Sequence, residues 1–196
     1  MDAKVVVSHF NQDLSWLEKI KYPTIVYSKT IKGEKFIDFN KAAEAPAFLK
    51  FIIDNWSNLP DYTIFIHGHE SSYHQSRLMV DIINSLSFDK LMINLNDSHM
   101  RKVMDKNDEH WPWLYNCWKG LFKPYGLDLP SKLSFPCCAQ FAVHKSLILS
   151  NPLEYYEHAY NWCKKTKLRN SISSRIFEYT WWYIFTKQPI ISEKNF

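Results

Sequence analysis

The chain has 196 residues, 46% of them hydrophobic and 22% charged, enough for one sizeable core and too few for two comfortable domains. Its 24 basic and 20 acidic residues are interspersed, and the only basic clusters (101–106 and 164–169) are short, which argues against a nucleic-acid-binding face. No stretch reaches the ~20 consecutive apolar residues of a membrane span, the N-terminus lacks a signal-peptide pattern, and the four cysteines form neither a disulfide framework nor a C-x-x-C pair, so the expectation is a soluble cytoplasmic protein with reduced thiols.

The β-branched run "KVVVSHF" (4–10) predicts a buried strand, "NQDLSWLEKI" (11–20) a short helix, and "TIVYSK" (24–29) a second strand, followed by a loop over 30–38. Over 40–56 the apolar residues Ala45, Phe48, Leu49, Ile52, Ile53 and Trp56 keep helical spacing; Asn40 fits as the N-cap, and Pro46 is tolerable only near the first turn. "SNLPD" breaks that helix, and "YTIFIH" (62–67) reads as a third strand. A helix follows around 75–86, then a strand over 90–95 and a mixed segment over 97–133 containing a helix at 108–122. "SFPCCAQFAVH" (134–144) reads as one continuous buried strand, and helices near 152–165 and 173–186 finish the chain.

Strands alternate with helices, and each strand is apolar throughout. That pattern predicts a single α/β domain over 1–196, a sandwich with helices on both faces of a central, mostly parallel (mixed) sheet. The reading holds whether the chain stands alone or is one module of a longer polypeptide.

In open α/β sheets, ligands settle outside the carboxyl ends of the strands. Three such ends carry polar groups here: Ser8 and His9, Tyr27 and Ser28, and the segment from His67 to Glu70. In "HGHE", alternation along an extended chain puts His67 and His69 on one side, while Gly68 lets the backbone turn or be approached closely. The two imidazoles suit either a divalent transition metal, with Glu70 or His74 as a further ligand, or direct hydrogen bonding to a diphosphate. The competing assignments are a strand-end role for His67 and a surface-helix position for His74. Asn40 and Glu44 fit a helix cap with a first-turn acid. Glu178, in the apolar setting "SRIFEYTWWYIF", reads either as a structural ion pair with Arg175 or as a general base. The tryptophan-rich stretches at 110–118 and 179–183 suit core packing before sugar stacking.

The blocks "VVVSHFNQDLSWL", "NKAAEAPAFLKFIIDNWSNLPDYTIFIHGHE", "SFPCCAQFAVHKSLILSNPLEYYE" and "SRIFEYTWWYIF" together resemble an uncharacterised domain family of fungi and large DNA viruses, itself similar to compact GT-A-type glycosyltransferases. The resemblance runs from about residue 4 to 186 and is weakest over 97–133. It implies a nucleotide-sugar-binding fold and an inverting transfer of a hexosyl or deoxyhexosyl group. The donor is a nucleoside-diphosphate sugar, UDP-sugar favoured, and the acceptor a glycan or glycoprotein. On this chain it puts the donor beside Ser8, His9, Tyr27, Ser28, Asn40 and Glu44, and a divalent metal, manganese or magnesium, at His67 and His69. "HGH" stands where such enzymes carry Asp-x-Asp, and imidazoles are softer ligands than carboxylates. Glu178, or failing that Glu70, falls to the role of catalytic base. Two other readings compete: a histidine-ligated metallohydrolase, and a catalytically inactive carbohydrate- or nucleotide-binding module.

Overall fold

Residues 1–191 are described by a computed structural model. Strand β1 (Ala3–His9) lies between β2 (Thr24–Ser28) and β3 (Tyr62–His67) and runs parallel to both. Ser8 is in register with Tyr27 on one side and His67 on the other, so the three carboxyl ends finish level. Strand β7 (Phe141–His144) is antiparallel to β3 and to β4 (Met92–Asn94), which gives the order β2-β1-β3-β7-β4 with one strand reversed. This is the mixed, mostly parallel α/β sheet expected from the apolar runs.

Side-chain alternation explains why those runs are apolar throughout. Val5, Val7, Ile64 and Ile66 pack on one face of the sheet, Val6 and Phe65 on the other. The first face is covered thinly, by Trp16 and Ile20 and by the short helix α2 (Met79–Asn84). The second carries the larger core, built with α1 (Ala45–Asp54), α3 (Trp111–Leu121), α5 (Leu153–Lys165), α6 (Asn170–Glu178) and α7 (Trp181–Thr186). Phe48 of α1 sits 4.7 Å from Phe65 and 6.1 Å from Trp181, ring centre to ring centre. Each fully buried side chain of this size contributes roughly 1.5–3 kcal/mol. Trp111, Trp118, Trp181 and Trp182 are all buried, so the tryptophan-rich stretches serve the core. Among the described residues no helix is long and apolar enough to cross a membrane.

Local structure departs from the sequence reading in four places. The stretch 11–20 forms only a 3-10 turn over Ser15–Lys19. Helix α1 begins at Ala45 with Glu44 as its cap residue, so Asn40 lies outside it; Pro46 does fall in the first turn. The expected helix over 173–186 is two helices, α6 and α7. The expected single strand over 134–144 is likewise two strands. Lys132–Pro136 (β6) pairs with Arg101–Asp105 (β5) in a separate two-stranded sheet, while β7 joins the main one. Between them the chain reverses through Cys138 and Ala139, with φ of 69° and 32°. The remaining short helix, α4 (Lys145–Ile148), follows β7 directly.

Candidate functional site

The level ends of β1 and β3 open into a cleft of two adjoining chambers. One, of about 360 Å³, is lined by Ser8, His9, Lys29, Asn40 and Asn170 among others. The second, of about 510 Å³, reaches past Ser71–His74 to Cys138, Ser174 and Glu178. Ala43, Glu44, His67 and His69 line both and form the wall between them. Both volumes fall in the ~300–1,000 Å³ range of small-molecule sites.

Two strained loops shape the cleft, and one helix holds both. Ala42 and Ala43 have φ of 54° and 42°, and Cys138 and Ala139 are also left-handed, a region costly for residues other than glycine. Acceptors on or beside α6 secure them. The Ala42 N–H donates to Ser173 Oγ (3.0 Å), the Ala43 N–H to Asn170 Oδ1 (3.0 Å), and the Cys138 N–H to Glu178 Oε1 (2.8 Å). The first loop lifts Glu44 onto the shared wall; the second sets the far rim.

A buried polar hub supports the end of β3. Gln140, only 2% exposed, accepts the His67 N–H through Oε1 (3.1 Å) and donates Nε2 to Gln75 Oε1 and Asn96 Oδ1 (3.1 Å each). Because Asn96 Oδ1 can only accept, His74 donates to it from Nδ1 (2.7 Å), which leaves the His74 Nε2 lone pair free of that bond. His74 is 4% exposed and precedes α2, so it is neither a surface residue nor a helical one. Gly68 is explained by a close approach. A β-carbon there would lie 2.8 Å from Gln12 Oε1, the atom that accepts the Phe10 N–H.

Burial sets the charge state of the wall. Glu44 has a side chain 11% exposed; loss of solvent, helped by repulsion from Glu178, pushes its carboxyl up to about 8. His67 is pushed down to about 3, chiefly by burial and then by His74 and His69. The two face each other at 3.8 Å, too far for a hydrogen bond, as neutral groups at neutral pH. His67 Nε2 is sealed from solvent with no hydrogen-bond partner. Lys29 is also held below its ordinary value by burial, opposed by Glu44; its ammonium donates to the Ala43 carbonyl and more weakly to the Lys41 carbonyl and Asn40 Oδ1 (3.4 Å each).

The structure therefore brings Ser8, His9, Asn40, Glu44, His67 and His69 to one chamber, with Glu178 in the next. His9 contributes a ring whose nitrogens are both engaged: Nε2 donates to the Gln12 carbonyl (3.2 Å) and Nδ1 accepts from Ser28 Oγ (2.9 Å). Three expected residues stand apart. Ser28 is consumed by that bond and by the Thr30 and Ile31 N–H groups. Tyr27 points into the core and donates to Asp54 Oδ2 (2.8 Å). Glu70 lies beyond His69 in a neighbouring depression with Trp16, 3.8 Å from Lys19 Nζ. Nor does Glu178 pair with Arg175, whose guanidinium donates instead to His110 Nε2 (3.1 Å). Sequence reasoning missed Lys29, Gln12, Tyr73, Gln140, Asn170 and Ser174. Of these, only Lys29, directly after the second strand, carried a positional signal.

The metal expected at His67 and His69 requires a set of converging ligands. Among the described residues no three His, Cys, Asp or Glu side chains converge as ligands. His67 Nε2 lies 3.8 Å from Glu44 Oε2, and His69 Nε2 lies 3.4 Å from Gln12 Nε2. Manganese and magnesium prefer several oxygen donors, which a set led by two imidazoles does not offer, so this set does not fit them.

The family model described as "Protein of unknown function (DUF3431)" matches residues 5–195, nearly the whole chain, and the chain belongs to that family. No curated protein matches the chain, and neither does any solved structure.

Proposed function

We propose that this chain is a GT-A-type glycosyltransferase that moves a sugar from a nucleoside-diphosphate donor, UDP-sugar favoured, to a hydroxyl of a glycan or glycoprotein in the cytoplasm. The observation that carries the reading is the pair of carboxyl side chains, Glu44 and Glu178, brought from two different elements into one cleft at the carboxyl ends of parallel strands. The resemblance of the sequence blocks supplies the substrate class.

The chemistry follows from what each group can do. The donor diphosphate lies in the chamber lined by the Lys29 ammonium, with Ser8, Asn40 and Asn170 as neutral hydrogen-bonding groups. Glu178 takes the proton of the acceptor hydroxyl as its oxygen attacks the anomeric carbon. The bond from that carbon to the diphosphate oxygen breaks, the leaving diphosphate keeps the electron pair, and the configuration inverts. The 2.8 Å bond from the Cys138 N–H fixes the Glu178 carboxylate while one oxygen remains for the acceptor. His67 and His69, on the shared wall, orient the donor between the two chambers.

The direct test is a thermal-shift titration with UDP, GDP and their sugars, repeated on His67→Ala and His69→Ala. The reading expects the wild-type chain to be stabilised by about 2.7 kcal/mol at a hundredfold excess over Kd and each variant to lose most of that shift while staying folded. Stabilisation by zinc with no response to any nucleotide points to the metallohydrolase instead. Nucleotide binding without donor turnover points to the inactive module.

A further inference from the structure

The two chambers differ in chemistry. The first contains Lys29. The second, among the described residues, is lined by no lysine or arginine. Its lining is instead rich in hydroxyls (Ser71, Ser72, Tyr73, Ser174), and it ends at Glu178. Tyr73 is 84% exposed at the mouth, with its hydroxyl 3.6 Å from Cys138 Sγ across the opening and its ring edge-on to His74 at 5.2 Å. An exposed aromatic ring at the mouth of a hydroxyl-lined chamber is a platform for a neutral, amphipathic ring.

We infer that this second chamber is the acceptor subsite, that it takes an uncharged sugar whose apolar face lies on Tyr73, and that it delivers one hydroxyl to Glu178. The inference rests on the glycosyl-transfer reading and adds the acceptor's charge class and its platform residue. A neutral sugar offers hydroxyl donors to the serines and to the carboxylate, and requires no counter-ion. A phosphorylated or acidic sugar would set its charge beside Glu178 with no lysine or arginine of the described lining to offset it.

Saturation-transfer NMR separates the possibilities. The probes are methyl α-mannopyranoside, methyl β-galactopyranoside, methyl β-glucopyranoside and, as the charged counterpart, glucose 6-phosphate, each with and without UDP or GDP. At least one neutral glycoside binds the wild-type chain more tightly than the phosphate ester. Tyr73→Ala, at an exposed position that leaves the fold intact, weakens it roughly 3–10-fold. Tyr73→Phe keeps the ring and retains binding, and nucleotide affinity is the same in all three proteins. Nucleotide binding with no glycoside binding overturns the inference and leaves the glycosyl-transfer reading standing. Preference for glucose 6-phosphate, or glycoside binding indifferent to Tyr73→Ala, also overturns it. Failure of every nucleotide and every glycoside to bind removes both.

Discussion

Replacing Glu44 by Gln should make the protein more stable, increasingly so as pH rises. The side chain is almost sealed, and its carboxyl titrates near 8 in the folded chain against an ordinary value of 4.5. A carboxyl raised on folding binds its proton more tightly in the native state. The penalty for ionising it is absent below pH 4.5, grows through the interval between the two values, and levels off above 8. At about 1.4 kcal/mol per pH unit, the wild-type chain carries about 2 kcal/mol of this penalty at pH 6 and about 4 kcal/mol at pH 8. Gln fills the same space and never ionises. For a chain of this length each kcal/mol shifts Tm by about 2–4 °C, so the variant should melt about 4–8 °C higher than wild type at pH 6 and at least about 8 °C higher at pH 8. At pH 4 the two should melt together. Differential scanning calorimetry in matched buffers from pH 4 to 8 reads the difference, in which every other titrating group cancels to first order. A gap that stays constant across that range would show that Glu44 is not a buried neutral acid.

Two further predictions concern the supports of the cleft. Gln140→Leu strands the His67 N–H and removes one of two donors from each of Gln75 Oε1 and Asn96 Oδ1, at about 1–3 kcal/mol for the stranded group and less for the others, so Tm should fall by at least about 4 °C; a drop under about 2 °C would mean the hub does not hold the end of β3. Gly68→Ala brings a methyl group to within 2.8 Å of Gln12 Oε1, the far end of a flexible side chain that can swing aside at the loss of its bond to the Phe10 N–H, so the change should cost about 1 kcal/mol, and Gln12→Ala should relieve that cost when the two changes are combined. Additive losses in the double-mutant cycle would refute the close-approach explanation of this glycine.

How much of this was legible beforehand divides along physical lines. The strand runs at 4–10, 24–29 and 62–67 were readable because a strand buried on both faces is apolar at every position, and β1, β2 and β3 fall there. Their polar terminal residues marked the cleft, and His67, His69, Glu44 and Glu178 do line it. The two left-handed loops were invisible. Alanine and cysteine give no local signal for positive φ, and the acceptors that hold the first loop, Asn170 and Ser173, lie more than 120 residues away in sequence. The same long-range bonding hid the break between β6 and β7 and the true partner of Glu178. Asn40 looked like a helix cap because capping is read locally, whereas Ala42 and Ala43 delay the helix to Ala45. Tyr27 and Ser28 end β2 level with His9 at the end of β1, but strand position alone did not reveal that their hydroxyls are taken by Asp54, His9 and the following turn.

The central claim is that Glu178 takes a proton from a hydroxyl acceptor while a sugar leaves its diphosphate. Release of free nucleoside diphosphate from a panel of UDP- and GDP-sugars, measured with and without neutral glycosides, tests it most directly when wild type is compared with Glu178→Gln. Gln keeps an oxygen to accept the Cys138 N–H, so the turn should survive the change. The expected result is acceptor-dependent release by wild type and a loss of at least about 100-fold in the variant with donor binding intact. Equal turnover by both proteins, with the donor bound by each, would contradict the claim.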